Sequence, residues 1–548
     1  MYRLLTIAFL SLTICLNGQQ TIGLTLQTEE SDNGYTLFAP LTSDDTYLID
    51  NCGELINKWE ATSTPGLSAY LLPDGRLMRT GTANQNYFHG GGVGGLIEIY
   101  DWDSNLLWSY TIADSLQCQH HDIEMLPNGN ILAVVWDYHS LEEVEAAGRV
   151  DAQGPVWTEK IVEIEPDYTN GGGTVVWEWR AWDHLVQESD PTKDNYGVVA
   201  ESPGLMDINF IANNPSNADW LHINSVDYNA ALDQIVLSVH HISEIWIVDH
   251  STTTEEAASH TGGLSGKGGD ILYRWGNPQV YQQGGAFDQE LFKQHDAYWI
   301  QDSLEHAGMI MCYDNQAFTL QNVNGSAIDV INPPMDGDGN YIYEDQAYGP
   351  AVPQWTYNEE IPTNFYSQRI SGAQRLSNGN TLICEGASGR LFEVSLNGEK
   401  VWEYINPVNT NGPMDQGSIP MGNRVFRVYR YATDYSAFDG KDLTPQGYIE
   451  NGSDFSCDLF SSSDIVDFYQ QKVDIYPIPF NDQLHLDFGE YDGWAEIQIL
   501  DSSSKLVFSK RLEDVSNTIV INPNITVPGI YFTKILTKDY RQSYKLVK

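Results

Sequence analysis

The sequence predicts an all-β protein, a six-bladed β-propeller followed by a small C-terminal β-sandwich. Three observations predict it. Short alternating strands recur in pairs joined by Asn-Gly or Asp-Gly turns, a tryptophan recurs at the end of the outer pairs, and helical periodicity is nearly absent. The 548 residues are 41% hydrophobic and 12% aromatic, enough for a large packed core. A length well above about 250 residues calls for several domains, or for one closed architecture with an appendage.

The first element is a secretory signal peptide, residues 1–19. Arg3 supplies a positive charge, Leu4 to Leu16 is a short apolar run, and Asn17-Gly18-Gln19 ends it. The run is too short for a mature membrane span, and no other segment is apolar enough for one. Ile14 is bulky where a lipoprotein box requires a small residue, which argues against lipidation.

Residues 20–450 form the propeller. Its inner hairpins read YLLPDGRLMRTG from Tyr70, IEMLPNGNILAVVW from Ile123 and QRLSNGNTLICEG from Gln374. The central dipeptides predict two-residue turns with positive φ at both positions. Outer hairpins read YLIDNCGELINKWE from Tyr47, IEIYDWDSNLLWSY from Ile97, IVEIEPDYTNGGGTVVWEW from Ile161 and LFEVSLNGEKVWEY from Leu391. Trp59, Trp108, Trp177 and Trp402 end them and are expected to wedge between neighbouring sheets. Two hairpins make a four-stranded sheet that cannot bury both faces alone, so copies must pack on one another. Radial closure is the usual solution, with stacked β-sandwiches the alternative.

Residues 451–472 are Ser- and Asp-rich and read as a linker, and 473–548 form a second module. From Val473 onward there are 8 Lys and Arg against 10 Asp and Glu, whereas the whole chain has 28 against 75 and a net charge of −47. Nearly all the negative charge therefore lies in the body. That balance excludes a nucleic-acid binder working through phosphate neutralisation, and equally a binder of anionic membranes. Without the signal peptide, Cys52, Cys118, Cys312, Cys384 and Cys457 remain, with no C-x-x-C pair. Export permits disulfides, but the sequence does not assign a pairing.

Standard catalytic motifs are missing, and histidine stands out instead. Of 13 histidines, His120-His121, His222, His240-His241 and His295 begin or end predicted inner hairpins at equivalent points of successive repeats. In a closed propeller they would converge on one mouth of the central channel. Two chemistries remain open: a metal site, or a pocket for an anionic group with one imidazole as nucleophile. Asp122 and Asp296 either orient the imidazoles or stabilise their turns by hydrogen bonding. The Asp336-Gly-Asp338-Gly-Asn340 run, with Glu344 and Asp345, has oxygen ligands of the calcium-loop type but lacks the twelve-residue spacing, and it reads as a surface turn.

Several of these segments resemble the bacterial arylsulfate sulfotransferases. They are QHHDIEMLPNGNIL, DWLHINSVDYN with LSVHHISEI, GGDILYRWGNP, and QHDAYWI followed by MCYDN. The likeness runs from roughly Tyr35 to Pro407 in the family's order. It implies a six-bladed propeller that moves a sulfuryl group from an aryl sulfate ester to a phenolic acceptor, through a sulfohistidine, without a nucleotide sulfate donor or other cofactor. The nucleophile motif falls on His295, and the supporting, substrate-binding histidines on His121 and His222. The family's arginine aligns with His240, which is not a fixed cation. The cysteine pair near the active site of some members is missing too. A non-catalytic extracellular propeller binding an anionic glycan or aryl ligand is the competing reading. The last seventy-five or so residues, with VDIYPIPFNDQLHLDF and PGIYFTKIL, resemble the sorting domain of bacterial type IX secretion. This implies a partnership with that machinery and a secreted or cell-surface location.

Overall fold

The structure, a computed structural model, describes residues 20–211, 218–343, 346–453 and 457, and in the C-terminal part 473–477, 479–481, 483–501, 505–527, 529–537 and 541–548. The expected signal peptide, Glu344, Asp345 and most of the 451–472 stretch lie outside the described residues. Contacts divide the chain into two compact units, Met1–Leu459 and Phe460–Lys548.

Among the described residues, the first unit contains six antiparallel sheets of four or five strands. Sheet one joins Val425–Ala432, from near the end of the unit, to Gly34–Pro40, Asp45–Ile49 and Leu55–Glu60. Sheet two runs Pro65–Leu71, Leu77–Thr82, Gly95–Tyr100, Leu106–Thr111, and sheet three Gln117–Met125, Ile131–His139, Val156–Pro166, Gly173–Arg180. Sheet four is Ile223–Asn229, Gln234–Val239, Glu244–Asp249, Tyr273–Trp275, and sheet five His295–Trp299, Ile310–Asp314, Ala327–Ile331, Trp355–Tyr357. Sheet six is Gly372–Arg375, Thr381–Glu385, Arg390–Val394, Lys400–Ile405, extended by Gly23–Gln27.

The first strands of these sheets touch in a closed cycle, from sheet one through sheet six and back to sheet one. Tryptophans in the outermost strands close a second cycle. Trp59 Nε1 donates to Asp101 O of sheet two at 2.9 Å, Trp108 to Gly172 O of sheet three at 2.7 Å, and Trp177 to Thr252 Oγ1 of sheet four at 3.2 Å. Trp275 donates to Pro350 O of sheet five at 2.8 Å, Trp355 to Leu396 O of sheet six at 3.5 Å, and Trp402 returns to Asn51 O of sheet one at 2.9 Å. Each indole thus fills an inter-sheet wedge and satisfies its one polar atom on the neighbour. Trp275 and Trp355, in strands of three residues, escape the sequence pattern.

The inner turns differ from expectation. Leu72 N bonds Arg76 O, and Gly75 N bonds Leu72 O, which leaves a three-residue loop; residues 126–130 and 376–380 repeat the pattern. Positive φ falls on Gly75, Gly129 and Gly379 but not on the preceding Asp or Asn. The loop is a type I turn completed by a left-handed glycine, which needs one positive φ rather than two. Strands from both ends of the first unit, Val425–Ala432 in sheet one and Gly23–Gln27 in sheet six, join sheets begun elsewhere in the sequence. A disulfide links Cys52 to Cys457 across 405 residues, while Cys118, Cys312 and Cys384 are buried free thiols.

The second unit is an antiparallel sheet of five strands: Asp474–Tyr476, Leu484–Asp501, Leu506–Ile521, Ile530–Thr537 and Arg541–Val547. One core gathers Leu484, Leu486 and Phe488 with Ala495, Ile497 and Ile499, so both halves of the long second strand share it. Asp336 accepts from the backbone N–H of Asp338 and of Asn340, so this acidic run stabilises its own turn.

Candidate active site

The first strands of sheets three, four and five each carry a register irregularity close to their histidine. His121 has φ +52°, His222 +57° and Asp296 +59°. Bulges with left-handed residues interrupt the alternation of a strand and re-aim side chains. The four sequence-predicted histidines come together as a result. Ring centroids lie 4.6 Å apart for His121 and His222, 5.3 Å for His222 and His240, and 4.9 Å for His240 and His295. His241 stacks on His222 at 4.5 Å, and Phe426 of sheet one packs against both His121 and His295. Gly92 lies over His121, where an added Cβ would sit 2.2 Å from the ring.

Hydrogen bonds fix how the rings are presented. His222 Nδ1 donates to Asp219 Oδ2 at 2.5 Å and His241 Nδ1 to Asp219 O at 3.0 Å, which turns both Nε2 lone pairs outward. His295 Nδ1 donates to Asn315 Oδ1 at 2.7 Å, while its Nε2 accepts the Ile370 N–H at 3.1 Å. Ile370 (φ +54°) and Ser371 (φ +98°) hold left-handed backbone, costly for a β-branched isoleucine. His120 lies 2.7 Å from His121 between Nδ1 atoms and stacks on Trp136.

Asp122 and Asp296 do not orient the imidazoles, the first of the two roles read from the sequence. Arg427 Nη1 meets Asp122 Oδ2 at 2.7 Å and its Nε meets Asp296 Oδ1 at 3.0 Å, and all three are buried. The residues that follow His121 and His295 are thus turned to Arg427 and away from the imidazole rings. Arg427 also donates to Asn224 O and Tyr70 OH. Beyond this layer lies a cavity of about 640 Å³ that reaches the far turns of the inner strands at Leu72 and Leu126 and is lined by Glu124, Asp227, Tyr429 and Tyr431.

Electrostatics separates the two sides. Burial, reinforced by the neighbouring rings, lowers His121 and His240 well below the ordinary histidine value. Burial pushes His295 and His241 down to about 3. These four rings are therefore neutral at pH 7, and the Nε2 lone pair of His295 is engaged by the Ile370 N–H. Burial also works against ionised Asp219, but the charge and hydrogen bond of His222 outweigh it and hold the carboxyl down to about 2. Lys293 is the nearby cation: its Nζ donates to His241 O at 2.9 Å, and burial lowers it to about 8. On the far side, burial raises Asp296 to about 6 against the pull of Arg427, and Asp227 to about 7.

Asp219, Asn315, Arg427 and Lys293 escape sequence reasoning as site residues. Asp219, three residues before His222, and Asn315, ending MCYDN, lay inside segments already singled out. Arg427 sits in the alternating strand VFRVYRYA without a local signal.

A closed succession of antiparallel sheets with neutral imidazoles gathered at one end of the inner strands defines a β-protein with a histidine-lined site. The chain belongs to the arylsulfotransferase (ASST) family, which it matches over residues 25–416. That domain supports aryl sulfuryl transfer in general. Residues 474–548 match a secretion-system C-terminal sorting domain, so the protein is exported to a secreted or cell-surface location by the type IX route. No curated protein matches the chain. Among solved structures it is similar to a protein of unknown function from Bacteroides caccae, with 10% identity, TM-score 0.38, and 73% of this chain and 99% of that one covered. It is also similar to virginiamycin B lyase from Staphylococcus aureus, with 11% identity, TM-score 0.31, and 71% and 89% covered. AztD from Citrobacter koseri follows with 9% identity, TM-score 0.29, and 90% and 98% covered.

Proposed function

We propose that the protein is an arylsulfate sulfotransferase acting by two displacements through a sulfohistidine on His295. In this reading the six sheets are the blades of a closed propeller, and the folded five-stranded sheet is a small sandwich. His295 Nε2 attacks the sulfur of an aryl sulfate; the N–S bond forms as the ester S–O bond breaks, and the phenolate leaves and takes a proton. A second phenol then loses its proton and attacks the same sulfur, which frees His295. Such transfers depend on positioning and on stabilising charge at the equatorial oxygens. His121, His222 and His240 are assigned to those oxygens. His222, taking a second proton on Nε2 against the Asp219 carboxylate, is the group that protonates the leaving oxygen, and the Lys293 ammonium supplies local positive charge.

The observation that carries this reading is the neutral, Asn315-oriented His295 in ring contact with His240, which continues through His222 to His121, in an arylsulfotransferase domain. Attack through Nε2 requires the Ile370 N–H to withdraw. One observation favours a second nucleophile, His121: no hydrogen bond among the described residues occupies its Nε2. The deciding experiment incubates the protein with a radiolabelled aryl sulfate and locates the label by peptide mapping. Label on the His295 peptide is expected; label on the His121 peptide moves the nucleophile, and no label on any histidine defeats the covalent mechanism in favour of a binding protein.

A further inference from the structure

The histidines at this site include a subset with a geometry of its own. One ring nitrogen each from His222, His240 and His241 lies within 4.8 Å of the others. A tetrahedral ion with metal–nitrogen bonds of about 2.1 Å spaces its ligands about 3.4 Å apart, so rotations that move each ring by about an ångström complete the set. Asp219 holds two of the three rings at once, through its carboxylate on His222 Nδ1 and its carbonyl on His241 Nδ1. An outer carboxylate or carbonyl on the distal nitrogen is how metal-binding imidazoles are held and made more basic. Moreover, His240 Nδ1 is buried without a hydrogen-bond partner among the described residues, a cost that an ion bound at that nitrogen would remove.

A second cluster sharpens the contrast. His184, His260 and Asp270 lie equally close, but both nitrogens of His184 are already engaged, by Asp270 Oδ1 at 2.9 Å and Ala257 O at 2.8 Å. His260 also bonds Asp270 Oδ1. That cluster is internally satisfied and leaves no lone-pair set for an ion.

We propose that His222, His240 and His241 form a binding site for one divalent transition-metal ion of the zinc or cobalt class, with Asp219 as the outer group that orients two of the ligands. Three imidazoles leave a fourth position for water or an anionic oxygen, the pattern of reactive rather than purely structural zinc sites. A bound ion would take the place of the ring protons that the proposed function assigns to His222 and His240, and its open position would then receive the anionic oxygen; its occupancy is read directly, apart from sulfuryl transfer.

The test uses the full chain, stripped with chelator and titrated with Co2+. One equivalent should bind, with the visible absorption of a tetrahedral ion, and Zn2+ should displace it. His241→Ala should weaken binding at least about 100-fold and Asp219→Asn about 10- to 100-fold, while His260→Ala should leave it unchanged. Failure of stoichiometric binding, retention in His241→Ala, or loss in His260→Ala overturns the site. Because a variant can misfold, X-ray absorption on the unmodified zinc-loaded protein provides an independent count. Three imidazole nitrogens are expected, and fewer than three overturn the proposal.

Discussion

The two ends of the inner strands are built from the same strands and could hardly differ more. At one end imidazoles are crowded together and kept neutral by burial. At the other, Glu124, Asp227 and a group of tyrosines line an open cavity. Arg427 lies between them, and Asp122 and Asp296 neutralise it. In a chain of net charge −47, this layer engages the carboxylates that follow His121 and His295 in sequence, and leaves Asp219, bonded to His222, as a carboxylate within the histidine cluster. The difference teaches that one end of the strands gathers imidazoles around the Asp219 carboxylate with Lys293 as a nearby cation, while the other gathers acids and phenols; in the proposed reading this local contrast, rather than a broad positive surface, is what admits a sulfate ester.

The largest expected effect breaks the comparison at the level of chemistry. His295→Asn should lower turnover at least about 1,000-fold, since an amide cannot form the covalent intermediate. Glu124→Gln, across the Arg427 layer, should leave turnover within about threefold. Steady-state rates with an aryl sulfate donor check both, and equal losses would erase the functional distinction between the ends.

Next in size is removal of the layer itself. Arg427→Met leaves Asp122 and Asp296 buried without their cation, and breaking such a pair costs about 3–5 kcal/mol. Calorimetry should show a large fall in Tm. Restoring neutrality with Asp122→Asn in the same chain should recover part of it.

Acidity should then separate the ends by sign. His295 has a folded pKa of about 3, below its unfolded value of about 6.5, so the unfolded chain binds the extra proton between those values and stability falls as pH drops through that window. Asp227 is the opposite case: its folded pKa of about 7 exceeds the unfolded value of about 3.9, so stability falls as pH rises from about 4 to 7. His295→Asn should therefore stabilise at pH 4.5 and not at pH 8, and Asp227→Asn at pH 8 and not at pH 4. Each effect is on the order of 1–3 kcal/mol. Denaturant melts at the three pH values, in the presence of chelator, read both signs.

A last effect, on stability and not on turnover, concerns what both ends share. The Cys52–Cys457 bridge constrains the unfolded chain over a long loop, so Cys52→Ser should lower stability by about 2–4 kcal/mol at most. Turnover of the folded enzyme should be unchanged, because the bridge touches neither end of the inner strands.

How much of this was legible in the sequence depends on how far apart the partners lie. Residue alternation, Asn-Gly and Asp-Gly punctuation and four of the six outer tryptophans marked the repeats, and the histidines fell at equivalent points of those repeats. The turn type did not follow, because the dipeptide suits either a two-residue or a three-residue loop, and only the hydrogen bond from Leu72 N to Arg76 O distinguishes them. The orienting role of Asp122 and Asp296 failed for a related reason. Adjacency to a histidine in sequence says little about contact in space, and here both carboxylates turn to Arg427.

The sequence by itself determined the all-β character, the repeating sheet, the acidic body, the separate sorting module and the set of histidines, since each is written in a period of two or in a few contiguous residues. Only the tertiary structure decided the rest. It chose Arg427 as the partner of carboxylates 305 and 131 residues away, set Ile370 against His295, gave Asp219 two rings to hold, and paired Cys52 with Cys457. These contacts join positions that a closed ring brings together, and no local pattern of residues carries the information about where the ring closes.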